Sequence, residues 1–196
     1  MRTRLDSFRA APALLAALAL GAVLVLAGCG DKNLILTVDI LSFLSPAETS
    51  GHYGPIPAGT SGTTTIIANK TINLLPGLHD ITAVTSVQID VSGEFANATG
   101  TGNGSCRIYL SPEGTDPFVA DTTPIVVPVT FNGASTDTVS ITVAGDSELA
   151  DLFVGEKAQL GIRLSLTAAP GPDPVEGEFA LIVLRAVVEA KQAITN

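Results

Sequence analysis

The sequence predicts an all-β fold: a single antiparallel β-sandwich, Ig-like or jelly-roll in topology, with about seven to nine strands, preceded by a helical signal segment. Two observations predict the sandwich. Apolar residues alternate with polar ones at period two in several separate stretches, the signature of half-buried strands. Clusters of Gly, Pro, Asn, Asp and Ser separate those stretches at the spacing of an antiparallel β-domain. Size supports a single core, since removing residues 1–28 from 196 leaves 168, enough for one ordinary domain.

The first element is not part of that domain. Arg2, Arg4 and Arg9 precede an apolar run from Ala10 to Leu26 that ends in small residues, the layout of a secretory signal segment. As a helix its 17 residues would reach roughly 25 Å, short of the roughly 30 Å hydrocarbon core, and Pro12 shortens it further. A permanent transmembrane anchor is therefore the weaker reading.

Beyond it, Leu34 to Leu44 reads as the first strand; with its start near Asn33, only Gly30 to Lys32 intervene, a tether of about 10 Å. Ser45 to Gly62, with Pro46, Pro55, Pro57, His52 and Tyr53, is the longest stretch without periodicity and reads as a binding loop or as disorder. Val87, Ile89 and Val91 alternate with Gln88, Asp90 and Ser92. Asn97 to Gly104 reads as a hairpin connection, after which Cys106, Ile108 and Leu110 share the apolar parity of a strand. Ser111 to Pro117 is a second connection.

Ile125, Val127, Val129 and Phe131 define a further strand, and Pro128 at its outward parity lacks a donor, which predicts a sheet edge or a bulge. Val139, Ile141 and Val143 give the next strand. Asp146 or Ser147 is placed to cap a short helical turn through Leu152, with Glu148 adding favourable charge in its first turn. Lys157 to Ala168 carries Ala158, Leu160, Ile162, Leu164 and Leu166 on one face. Pro170 to Gly177 reads as a third hairpin connection, leading to a long last strand, Phe179 to Lys191, whose alanines also permit a helix.

Leu26-Ala27-Gly28-Cys29, at the end of the apolar run, resembles the lipobox of bacterial lipoprotein precursors. The resemblance covers about the first thirty residues. It implies that the Cys29 thiol receives a diacylglyceryl group, that the chain is cut before Cys29, and that the new amino terminus can be acylated. Two or more acyl chains hold a protein stably where a single chain binds only marginally. The resemblance also implies residues 1–28 as a removed signal peptide and 29–32 as lipidated cysteine and tether; the alternation assigns 33–196 to the sandwich domain. An Asp directly after the modified cysteine favours inner-membrane retention in Gram-negative lipoproteins. Gly30 stands there instead, which makes the outer membrane the expected address. The alternatives are an ordinary secreted protein cut nearby, or a Cys29–Cys106 disulfide.

The mature part loses three of ten basic residues and one of nineteen acidic ones, leaving a formal balance of −11. Such a surface repels phosphate backbones and anionic headgroups, which excludes nucleic acid as an expected partner and leaves membrane binding to the acyl chains. Cys106 reads as a buried structural thiol.

Catalytic signatures are weak. The histidines, His52 and His79, sit in no zinc-protease pattern, and the chain has no Gly-x-Ser-x-Gly elbow, Walker loop or closely spaced cysteine pair. His79-Asp80 fits a strand entry better than a catalytic pair. Asp146, Glu148, Asp151 and Glu156 could approach a calcium ion, but without the EF-hand spacing, and a capped helical turn on an acidic surface explains them. The absence of Trp weakens a carbohydrate-binding reading. His52 and Tyr53 are the contact candidates of the aperiodic stretch. The leading expectation is a lipid-anchored, non-enzymatic binding or structural domain with no cofactor and an envelope protein as partner. The alternative is a hydrolase or metal-dependent enzyme whose site is assembled from residues distant in sequence.

Overall fold

The computed structural model describes residues 32–74, 81–119, 123–155 and 157–193. Cys29, His79, Asp80 and Glu156 lie outside the described residues. Among the described residues nine strands follow in order: β1 (Lys32–Asp39), β2 (Ser50–Ile56), β3 (Ser61–Asn73), β4 (Ile81–Thr99), β5 (Thr101–Pro112), β6 (Ile125–Asn132), β7 (Ser135–Ala144), β8 (Lys157–Ala168) and β9 (Val175–Gln192). Two short helices interrupt them, α1 (Pro46–Thr49) and α2 (Ser147–Leu152), with a 3-10 turn at Ile40–Phe43.

Every pairing is antiparallel. One sheet has the order β1-β9-β4-β7, with β2 also pairing β9, and the other has β3-β8-β5-β6. The pairs β5·β6, β4·β7, β3·β8 and β1·β9 are nested about the β5–β6 connection, so the chain forms one long antiparallel ribbon. Rolling that ribbon brings β4 against β9 and β5 against β8, which completes both sheets. A ribbon rolled this way is a jelly roll, and it resolves the topology between the two that periodicity left open.

The rolled ribbon corrects two hairpins. Asn97 to Gly104 and Pro170 to Gly177 each carry the chain from one sheet to the other, β4 to β5 and β8 to β9. Turn-forming residues signal a change of direction but do not specify which sheet the next strand joins. The first corner turns on Gly100 alone, at φ +72, where a Cβ would run into the Pro174 carbonyl.

Two further expectations change near the start. The strand expected over Leu34 to Leu44 ends at Asp39, where the 3-10 turn buries Ile40 completely. Ser45 to Gly62 is neither an open loop nor a single irregular segment: it holds α1, all of β2 and the first residues of β3. Ser45 initiates α1 by donating from its backbone N–H and its hydroxyl to the Glu48 carboxylate, each at 2.8 Å. β2 hides its alternation because Gly51 takes the inward position before Tyr53 and the register against β9 shifts between Tyr53 and Ile56. β3 hides its own because the register against β8 shifts between Thr65 and Ile67 and again between Ile67 and Lys70.

The remaining strands follow the alternation closely. β6 alternates buried and exposed at every residue, and Pro128 faces outward on the edge of its sheet, where its missing N–H removes no ladder bond from a second neighbour. In β8, Leu160, Ile162 and Leu164 are fully buried between the sheets. Phe179 to Lys191 is strand throughout, because its alternate residues Leu184, Ala186, Val188 and Ala190 point into the core. Cys106 is buried on the inner face of β5, as its parity predicts.

Candidate binding cleft

β6 and β7 are the neighbouring edges of the two sheets. The two-residue connection Gly133–Ala134 holds them together at one end of the sandwich, with Gly133 at φ +69. At the other end, where β6 begins and β7 finishes, the sheets stand apart and α2 fills only part of the mouth. The result is a cleft of about 860 Å³ whose apolar walls include Ile108 and Leu110 of β5, Ile125 of β6, Val143 of β7, and Leu149 and Leu152 of α2. Its size and lining match the concave, mainly apolar form of small-ligand sites.

Local sequence fixes α2 at both ends. Asp146 is the N-cap and accepts from the Leu149 N–H at 2.9 Å, while the Gly145 N–H donates to the Val87 carbonyl at 2.7 Å. Gly145 permits the close approach, since a Cβ there would lie 2.7 Å from Leu149 Cδ2 and 3.2 Å from Val87 Cβ. Phe153 follows the last turn and is fully buried. These two pins leave Leu149 and Leu152 half-buried at the cleft wall.

Among the described residues the rim is acidic: Glu113, Asp146, Glu148 and Asp151 stand there with one cation, Lys157. Lys157 Nζ pairs with Glu113 Oε1 at 3.3 Å. Glu148 and Asp151, one helical turn apart on α2, have no cationic partner among the described residues. The negative charge of the rim is therefore concentrated on its α2 side.

The contact candidates of the aperiodic stretch are split by β2. Tyr53 points inward, 2 % exposed, with its ring centroid 5.3 Å from that of Phe131 and its hydroxyl donating to Asn97 Oδ1 at 3.3 Å. Burial pushes its phenol up to about 12. His52 points outward, its Nδ1 3.6 Å from Glu178 Oε1, and the two side chains are 82 % and 69 % exposed. A shallow depression of about 240 Å³ surrounds His52, Glu94 and Glu178 on the outer face of the sheet. Tyr53 thus offers no aromatic face to a partner, because strand alternation commits it to the core.

Cys106 is 2 % exposed, and burial pushes its thiol up to about 12, which suits a structural residue and not a nucleophile. Asp146 is committed to the α2 cap. Among the described residues no group of three or more His, Cys, Asp or Glu side chains gathers to hold a metal ion, and no helix is long and apolar enough to cross a membrane. Tyr109, Phe118 and Arg163 stack on the outer face of the second sheet, the guanidinium 3.5 Å from the Phe118 centroid. The cleft itself had no signal in the sequence. Leu149 and Leu152 read there only as part of a capped turn, and the splaying of two sheet edges is a property of the assembled fold.

No protein-family model matches the chain, and no curated protein matches it. Solved structures do. The structure of infectious bursal disease virus Gt strain is 12% identical, with a TM-score of 0.44 over 85% of this chain and 39% of that one. The Gx strain of the same virus gives 13% identity and a TM-score of 0.43 with the same coverage. Dimeric latent PorU from Porphyromonas gingivalis is 12% identical with a TM-score of 0.27, over 84% of this chain and 13% of that one. The chain spans well under half the length of each. Strand pairing, not these likenesses, assigns the jelly roll.

Proposed function

We propose that this chain is an exported envelope lipoprotein, held at the outer membrane by acyl chains on Cys29, whose jelly roll is a non-enzymatic module that binds through the cleft between β6, β7 and α2. The observation that carries the reading is Leu26-Ala27-Gly28-Cys29 at the end of a cationic and then apolar segment. Placement of β1 supports it. Lys32 already pairs with Gln192, so only Gly30 and Asp31 separate the modified cysteine from the first strand.

β1 enters at the same end of the sandwich where β7 leaves, because β4 meets Ala144 at Gln88 but continues back to Ile81, opposite Gln192. From Val188, opposite Val87, to Gln192 the ribbon extends four residues beyond the cleft, about 13 Å. A tether of about 7 Å then keeps the cleft on the membrane-proximal side. The partner is accordingly a component of the membrane surface or of another envelope protein.

Replacing the cysteine tests the anchor, and crosslinking tests the partner. Cys29→Ser is expected to abolish both processing and membrane retention on fractionation. Crosslinking in the native envelope, read by mass spectrometry, is expected to join residues around the cleft to a membrane component. Unchanged retention and processing of the serine variant would contradict the reading.

A further inference from the structure

We infer that the cleft takes a small amphiphile: a medium-length alkyl chain between the sheet edges with a cationic head at the rim. The inference rests on the proposal that the cleft is the domain's binding site, and is independent of the anchor. Two features select the ligand. Ile108, Leu110, Ile125, Val143 and Leu149 present an apolar interior that offers a chain little to hydrogen-bond with and favours burial of methylenes. The charge at the mouth then selects the head. Lys157 is engaged by Glu113, whereas Glu148 and Asp151 project from α2 without cationic partners among the described residues. An anionic head would meet like charge there, and a cationic head would meet opposite charge.

Selectivity comes from the rim and affinity from the walls. Both carboxylates are exposed, so solvent and salt screen them, and together they set a preference of about tenfold between heads of opposite sign. The preference falls as ionic strength rises.

The test is photolabelling of the full chain in nanodiscs of zwitterionic lipid with a decyltrimethylammonium carrying a diazirine at its chain end. No Lys or Arg lies between Arg107 and Lys157, so trypsin releases every described lining residue on the single fragment Ile108–Lys157. Saturable labelling of that fragment is expected, displaced by unlabelled decyltrimethylammonium about tenfold more effectively than by decyl sulfate. Leu149→Asp, which puts a charge on the wall, is expected to abolish the labelling. The exposed pair Glu148→Gln/Asp151→Asn, which leaves the core untouched, is expected to remove the preference while keeping the labelling.

Labelling spread evenly over all fragments, equal displacement by both detergents, or a preference that survives the double variant would overturn the inference. So would displacement by a basic amphipathic peptide but not by the alkylammonium, which would assign the cleft to a polypeptide. A chain that fails to enter nanodiscs bears on the anchor alone, because labelling can then be read in solution with the same outcomes.

Discussion

Asn97 joins the two sheets at the end opposite the cleft, and its replacement is the sharpest test of how the roll is closed. The side chain is 5 % exposed. Its Nδ2 donates to the carbonyls of Thr99 at 2.8 Å, Gly100 at 3.0 Å and Gly133 at 2.6 Å, and its Oδ1 accepts from Tyr53 at 3.3 Å. One amide therefore ties the β4–β5 corner to the β6–β7 turn. Two N–H groups cover three acceptors, and the Gly133 N–H also serves the Gly100 carbonyl at 2.9 Å, so the effective loss in Asn97→Ala is about two good bonds and one long one. At about 1 kcal/mol for each buried group left without its partner, the variant loses about 3 kcal/mol. With a urea m-value of about 2 kcal/mol/M, the midpoint falls by about 1.5 M.

Asn97→Asp keeps the shape but turns an acceptor toward three carbonyls, and at neutral pH it is expected to lose more than the alanine variant. The folded state raises the pKa of that carboxyl, so the penalty is full above the folded value and shrinks as pH falls and the group takes up a proton. Urea unfolding followed by tyrosine fluorescence at pH 7 and pH 4 reads both effects. An alanine variant within about 0.5 kcal/mol of the parent, or an aspartate variant no worse than alanine, would refute the reasoning.

Two other predictions follow from the interior and the surface. Cys106 is expected to resist a thiol reagent in the folded protein at pH 8 and to react fully in denaturant; stoichiometric labelling of the native state would contradict its burial. Glu48 accepts from the Ser45 N–H, from Lys70 and from the Ser45 hydroxyl, which together hold its carboxyl down to about 2 from an ordinary value of 4.5. Because the folded value is the lower one, its contribution is present above about 4.5 and lost as pH falls toward 2. Partial exposure of the pair, 26 % for Glu48 and 35 % for Lys70, limits that contribution to roughly 1 kcal/mol. Glu48→Gln should therefore lower stability at pH 6 and converge on the parent near pH 2.

β6 was legible in the sequence because its alternation is unbroken, and β9 was legible despite register shifts against β4 because apolar residues fill its inward positions. In β8 every inward residue from Ala158 to Ala168 is buried, and the outward Gln159 and Gly161 are covered as well. β3 carries two register shifts, so Ile67 and Ile72 are both buried although five positions apart, which no period-two template accommodates. The place of Tyr53 is hidden for a related reason. Proline and glycine around it suggest an exposed loop, whereas pairing with β9 makes it strand and turns its ring onto Phe131. The α2 cap was legible because Asp146 acts on a backbone N–H only three residues away. The cleft was not, because residues from Ile108 to Lys157 meet there through pairings of two different sheets.

The anchor is tested most directly by the mass of the N-terminal fragment of protein taken from native membranes. Trypsin cuts after Lys32, so a processed and acylated chain yields Cys29–Lys32 carrying a diacylglyceryl group on its sulfur, with or without a further acyl chain on its amino terminus. The account predicts that lipopeptide. An unmodified Cys29 within a fragment that still runs back to Ala10 would contradict it.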